Sequence, residues 1–312
     1  LLCGPGVVSR EGWGWLAAFS AVSMWAGWAV ATRFLLAGAT MDPFDIVAVR
    51  FLTAGVLMLP HVARHRLPLA RLSAPELAVI VAGSGVAFSL CNTSGLVFAP
   101  AAHGGAMTSP LGAVFTGLLA HLLIGERLGR KSALGLAMIG AGTATIVLAS
   151  LGGAWGERSW LGHLLFAAAG LLWASYSVSV RGARLAALDA VAISTLGSAL
   201  VYLPPYLLLR GPRFLAAPPG ELAVQAALHG GIGATLSIIL FNLGLVRLGA
   251  ARAAAAGALT PTLTAAMAAV LLGEVPSAAE AAGMAVLTVG VWLASGARLS
   301  SADPLAPPPP RP

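Results

Sequence analysis

Between Glu76 and Glu126 the chain runs through 49 residues, 77–125, without an Asp, Glu, Lys or Arg. In an average soluble domain about one residue in four is charged, because charge covers the surface that faces water. A stretch this long and this uncharged has lipid for its solvent. As a single helix it would reach about 74 Å, more than twice the bilayer's hydrocarbon thickness of about 30 Å, so it must fold back. The turn signal lies in its middle, at Ala99-Pro100-Ala101-Ala102-His103-Gly104-Gly105. Seven more uncharged stretches, 12–32, 132–156, 159–180, 190–209, 222–246, 253–273 and 281–297, are each long enough for a helix to span a bilayer, which takes about 17–25 residues. The segment 46–63 adds a span if Arg50 is tolerated inside it, and the count becomes ten. With 58% of its 312 residues hydrophobic and 9% charged, the chain reads as an all-α, multi-pass membrane protein.

The first stretch is too long for the apolar core of a removable signal peptide, and nine spans follow it. Cys3 and Cys91 are the only cysteines, and the six histidines show no HExxH spacing, so no disulfide framework, metal centre or cofactor is expected. A net charge of +7 would invite nucleic acid as a partner for a soluble protein; in a membrane chain it is loop charge that sets orientation, and no nucleic acid is implied. With the N-terminus placed in the cytoplasm, that side holds thirteen basic residues, Arg64, Arg66, Arg71, Arg127, Arg130 and Lys131 among them. The opposite side holds four: Arg33, Arg158, Arg210 and Arg213. Both termini are therefore expected in the cytoplasm. The use of Arg almost to the exclusion of Lys hints at a GC-rich bacterial genome. Residues 304–312, with four consecutive prolines and a final Arg-Pro, read as a disordered cytoplasmic tail.

The halves repeat. At a separation of 148 residues Trp25 meets Trp173, Val30 meets Val178, Arg33 meets Arg181, and Gly125-Glu126 meets Gly273-Glu274. In the last span of each half Gly135 meets Gly283 and Gly142 meets Gly290. The second spans align after a four-residue shift, pairing Asp45 with Asp189 and Pro60 with Pro204. This divides the chain into a first five-helix repeat, 1–150, and a second, 151–303. Five is odd, so the repeats must enter the membrane in opposite directions. The loop charges agree: Arg127, Arg130 and Lys131 follow one Gly-Glu pair, whereas Val275, Ala278 and Ala279 stand at the matching places after the other. Inverted repeats mark alternating-access transporters, whose substrate site lies near the midplane between the halves.

Several motifs in this order resemble the EamA-type, ten-helix exporters of the drug/metabolite transporter superfamily. They are Trp25-Ala26-Gly27 in the first span, Arg50-Phe51-Leu52-Thr53-Ala54-Gly55 in the second, and Pro261 followed by Gly273-Glu274 and a glycine-rich last span. The resemblance covers roughly 13–297. It implies export of amino acids, metabolites or drugs across a bacterial inner membrane, with no ATP-binding part. One feature departs from the repeat: Pro110 stands sixteen residues before Glu126, Pro261 thirteen before Glu274, and Ala113 occupies the aligned position.

The candidate site residues are the polar and aromatic side chains that the spans would carry into lipid. Arg50, about five residues into the second span, either faces a substrate cavity or gate, or snorkels to the interface and pairs with Asp42 or Asp45. Trp25, Trp173 and Tyr176, with Trp28, occupy the repeated aromatic positions of spans 1 and 6; at mid-span depth they line a cavity or pack the bundle. Asn92 and Asn242 sit in corresponding spans, as glue between helices or as ligand contacts. His229, whose counterpart at a 145-residue shift is Ser84, carries a proton or substrate role or is a neutral imidazole bonded to a backbone carbonyl. Pro110 and Pro261 are expected to kink helices 4 and 9 near mid-span, as hinges. His103 and His163 are expected at the outer interface, and Glu126 and Glu274 at the surface, capping loops.

A transporter is the leading functional reading, with a small-molecule substrate, the bilayer as surroundings and protons as a candidate coupling ion. The rival classes are an intramembrane enzyme and a membrane scaffold or sensor. An enzyme would need paired carboxylates, a metal cluster or a nucleophile with its base, yet all eleven acidic residues fall at predicted ends or loops. A sensor would need a soluble part of some size.

Overall fold

The computed structural model describes residues 10–38, 40–124, 129–151, 158–248 and 256–296. Cys3, Gly125-Glu126, Arg127 and the proline-rich tail lie outside them, as does the side chain of Asn242. All regular structure among the described residues is helical. The helices of the first half are α1 (Arg10–Gly38), α2 (Pro43–Arg64), α3 (Ala74–Gly83), α4 (Val86–Phe98), α5 (Ala101–Ile124) and α6 (Arg130–Leu151). Those of the second are α7 (Ser159–Gly182), α8 (Ala187–Arg210), α9 (Pro219–Gln225), a π-helix (Ala226–Leu236), α10 (Ser237–Leu248), α11 (Thr260–Leu272) and α12 (Ala278–Gly296). Among the described residues seven stretches are long and apolar enough to cross a bilayer: Glu11–Leu36, Pro43–Arg64, Ala74–Phe98, Arg130–Ser150, Ser159–Gly182, Ala187–Arg210 and Pro219–Phe241. Thr260–Leu272 and Ala278–Ala294 are shorter apolar helices. The molecule's outer surface suits lipid. Leu200, Leu208, Leu209 and Val270 are among the most exposed side chains, where a soluble protein would carry charge.

Local chemistry sets the helix boundaries. Asp42 caps α2 by accepting from the N–H groups of Phe44 (2.9 Å) and Asp45 (3.1 Å), while the Asp45 carboxylate accepts from Asp42 N–H (3.1 Å). Pro43 occupies the first turn, where its missing N–H loses nothing. Ser73 and Glu76 form the same reciprocal box at the start of α3. Gly273 ends α11 with a left-handed φ of 69°, a conformation that only glycine adopts without a Cβ penalty.

The halves interlock rather than sit side by side. Helix α1 packs on α10 and α11 of the second half, and its counterpart α7 packs on α3, α4 and α5 of the first. Equivalent helices also meet each other, and they cross antiparallel. Between α6 and α12, Gly135 lies against Gly290 while Gly142 lies against Gly283; a Cβ on any of the four would come within 2.5–2.8 Å of the facing carbonyl oxygen. Between α2 and α8, Asp45 takes a hydrogen bond from the Tyr206 hydroxyl at 2.6 Å, and His61 lies 2.9 Å from Asp189. Small residues let these backbones approach closely, which in lipid is the main source of helix association.

Two local features depart from the sequence reading. Pro261 does not kink the middle of a helix: it sits in the first turn of α11, after a turn at Ala258–Leu259, whereas Pro110 lies inside the continuous helix α5. A proline that starts a helix forfeits no intrahelical bond, so the interruption falls just before it. The third span of each half, read as plain helix, is distorted. The first breaks between α3 and α4, and the second widens into the π-helix that contains His229.

Candidate functional site

Among the described residues the interlocking leaves a central cavity of about 300 Å³. Trp25 and Trp28 of α1, Arg50 and Phe51 of α2, Phe88 and Asn92 of α4, and Trp173 and Tyr176 of α7 line it. Ser84 from the α3–α4 break, Thr108 of α5, Ser194 of α8, Phe241 of α10 and Thr260 of α11 are among its other polar and aromatic lining residues. A smaller void of about 140 Å³ adjoins it, sharing Trp25, Ser109, Phe241 and Thr260 and adding Pro110 and Pro261. Of the residues singled out in the sequence, Trp25, Arg50, Asn92, Trp173 and Tyr176 therefore face one space, and the two prolines border its annex.

The aromatic residues are held by distinct partners. The Trp25 indole donates to Ser237 Oγ at 2.9 Å, and its ring lies 5.0 Å from that of Phe241. Trp173 packs between Phe88 and Tyr176, at ring separations of 5.5 and 5.4 Å. Asn92 is both glue and lining, since its side-chain oxygen accepts from Thr108 Oγ1 at 2.9 Å.

Arg50 is the eighth residue of α2, deeper than the sequence reading put it, and neither Asp42 nor Asp45 pairs with it. Asp42 binds Arg210, and Asp45 binds Tyr206. Among the described residues Arg50 donates from Nη1 to the carbonyl of His229 at 3.4 Å, and its Nε is buried without a partner there.

His229 is fully buried behind the cavity wall rather than on it. Its ring does not bond to a backbone carbonyl, as the simpler expectation had it. The Trp28 indole N–H donates to Nδ1 at 3.2 Å, and Nε2 lies 3.3 Å from Thr32 Oγ1, whose own proton goes to the Trp28 carbonyl (2.6 Å). With Nδ1 accepting, the proton sits on Nε2 and the imidazole is neutral.

Towards the end opposite the N-terminus of α1, His103 and His163 lie near helix ends as expected but inside the protein rather than at its surface. His103, His163 and Glu280 are buried together, with His103 Nδ1 2.9 Å from His163 Nε2 and His103 Nε2 3.0 Å from Glu280. Glu274 is buried as well. It accepts from Arg33 Nε at 3.0 Å and from Ala101 N–H at 2.9 Å, capping α5, while Arg33 Nη1 donates to the Leu96 carbonyl at 2.7 Å. The pair clamps the turn between α4 and α5. Spacing to the helix end suggested an exposed loop; the packing of helices from the other half covers it.

Ser84, Ser194, Phe88 and Phe241 were not singled out as lining residues. The repeat carried a signal for two of them, because Ser84 is the counterpart of His229 and the shift that pairs Asp45 with Asp189 also pairs Arg50 with Ser194.

The model of the EamA-like transporter family matches the chain twice, over residues 12–148 and 160–296. One solved structure, described only as the crystal structure of a protein, is 26% identical, covers 95% of this chain and 100% of its own, and superposes with a TM-score of 0.58. No curated protein matches.

Proposed function

This chain belongs to the EamA-like transporter family, and from that premise we propose that it is a secondary transporter that exports small metabolites, amino acids or drugs by alternating access. The observation that carries the reading is the central cavity, to which each repeat contributes a tryptophan at matching positions, Trp25 and Trp173. Antiparallel contact between equivalent helices supports two inverted repeats, 1–150 and 151–303, related by an axis in the membrane plane. On this reading α3–α4 and α9–α10 each count as one interrupted span, which makes ten passes with both termini in the cytoplasm of a bacterial inner membrane. An externally active phosphatase fused within 211–220 should then work, and one fused after 296 should not.

The test of function compares small molecules in the medium of overexpressing and deletion strains. It then asks whether Trp25→Ala and Trp173→Ala erase the difference at equal membrane abundance. Trp→Phe at the same positions separates bulk from the indole N–H. No difference in the medium between the strains would defeat the export reading.

A further inference from the structure

Among the described residues lining the central cavity, Arg50 alone carries a charge at neutral pH; no described carboxylate pairs with it, and its guanidinium carbon lies 5.9 Å from the Phe51 ring centroid. The carboxylates earlier in the same chain segment are engaged elsewhere, Asp42 with Arg210 and Arg213 and Asp45 with Tyr206. His229 offers it only a carbonyl at 3.4 Å, because Trp28 and Thr32 occupy both ring nitrogens. The Nε–H is buried with no acceptor. A guanidinium presents five N–H donors in a planar fork that matches an acid group two bonds at a time. Most of that fork, and all of its charge, is left for what enters the cavity. An intramembrane charge that is not compensated by the protein points to a ligand that compensates it.

The remaining wall limits the rest of the ligand. Trp25 and Trp28 come from one half and Trp173 with Tyr176 from the other, with Phe88 against Trp173. These aromatic side chains suit a flat apolar body. A single cation suits a single negative charge.

We propose that the cavity takes an amphipathic organic monoanion, with its compact acid group on the Arg50 fork and its flat apolar body between the tryptophans of the two halves. This rests on the reading of the cavity as the transport site, yet charge recognition is an equilibrium property and is measured without transport. The full chain in lipid nanodiscs is titrated calorimetrically with three probes of one shape: 2-naphthoate, 2-naphthamide and 2-naphthylmethylammonium. The acid should bind about tenfold tighter than the amide, or more, and the cation weakest. Arg50→Gln should bring the acid down to the level of the amide and leave the amide unchanged. Arg50→Lys, which keeps the charge and loses the fork, should fall between.

An acid that binds wild type no tighter than the amide, undetectable binding of both included, overturns the proposal; so does an acid preference that survives Arg50→Gln. If Arg50→Gln does not reach the membrane, the wild-type ranking and Arg50→Lys decide. Efflux of the probes from proteoliposomes is read separately. Naphthoate that binds but is not moved defeats the transporter reading and leaves this one standing. Acid and amide moved equally well do the reverse.

Discussion

The third span of each half is distorted at matching places, and the two distortions are built differently. In the first half the helix stops at Gly83 and restarts at Val86. The Ser198 hydroxyl of α8 bridges the interruption, accepting from Val86 N–H at 3.0 Å and donating to the Val81 carbonyl at 3.1 Å. In the second half, Ala226–Leu236 widens into a π-helix, whose bonding stays inside the segment. At the register that pairs Asp45 with Asp189, Ser198 corresponds to Ala54, which has no hydroxyl to lend. Water cannot repair a gap in hydrocarbon, so each half satisfies its backbone with what its neighbour offers. One borrows a side chain, and the other stretches its own helix.

Different chemistry stands at the two bends, where Ser84 pairs with His229 at a 145-residue shift and Ser194 with Arg50 at 144. Ser84 bonds to Ser194 at 2.8 Å in one half; their counterparts, His229 and Arg50, meet at 3.4 Å in the other. The scaffold is symmetric while the cavity is polarised, with two hydroxyls on one side and a guanidinium on the other. Symmetric positions should therefore tolerate change equally where they only pack, and unequally where they carry the polarity.

The sharpest way to break this contrast is Ser198→Ala. It leaves the part-buried Val86 N–H without its acceptor and the buried Val81 carbonyl without its donor, and on the order of 3 kcal/mol of stability should be lost. Ala54→Ser, the mirror change at a buried position, should cost less, about 1 kcal/mol, because the new hydroxyl can donate to a carbonyl one turn earlier in α2. Thermal unfolding of the purified proteins, followed by loss of the monodisperse species, checks both, and equal losses would mean that the bends are not built differently. Next come the helix crossings, where the halves should behave alike. Gly142→Ala and Gly290→Ala each push a Cβ against backbone of the facing helix, and each should cost about 2 kcal/mol. Unequal costs would show that the crossing of α6 and α12 departs from two-fold symmetry.

At the polar junctions the halves should part again. Arg50→Ala is expected to lower export about tenfold at equal abundance, a change of about 1.4 kcal/mol. Ser194→Ala should lower it far less, and export by normalised proteoliposomes ranks the two. The smallest effect lies at the caps, since α8 begins at Ala186 with no side-chain cap while Asp42 caps α2. Asp42→Ala should cost about 1 kcal/mol at neutral pH. Burial pushes the Asp42 carboxyl up, but Arg210 and the N–H groups of Asp45 and Phe44 outweigh it and hold the carboxyl below its ordinary value. A depressed folded pKa contributes stability above the ordinary carboxylate range and loses it as the pH falls through the folded value. The gap between Asp42→Ala and wild type should accordingly close in acid, and a gap that persists there would leave the cap role to packing alone.

Much of this was legible in the chain itself. Uncharged runs mark spans because hydropathy is a sum over consecutive residues and needs no knowledge of neighbours. The repeat is visible because Trp25/Trp173, Gly142/Gly290 and the Gly-Glu pairs recur at one spacing. The polar residues inside the spans drew attention by their cost in lipid, and Trp25, Arg50, Asn92, Trp173 and Tyr176 do share one cavity. Their partners could not be read the same way. His103 looked interfacial from its distance to a helix end, yet it bonds to Glu280 at a separation of 177 residues. Glu274 looked exposed, yet it caps α5 from 173 residues away.

By itself the sequence determined the solvent, the class of fold, the repeat and the family resemblance, since each is written in local composition or in fixed spacing along the chain. Only the tertiary structure decided the rest. It interlocked the halves, distorted their third spans and buried the His103–His163–Glu280 cluster. It also gave Asp42 to Arg210 and Asp45 to Tyr206, which left the guanidinium of Arg50 facing the cavity. The reason is physical: in lipid the pairing of a polar group is set by which helix lies alongside it, and that neighbour comes from the other half of the chain.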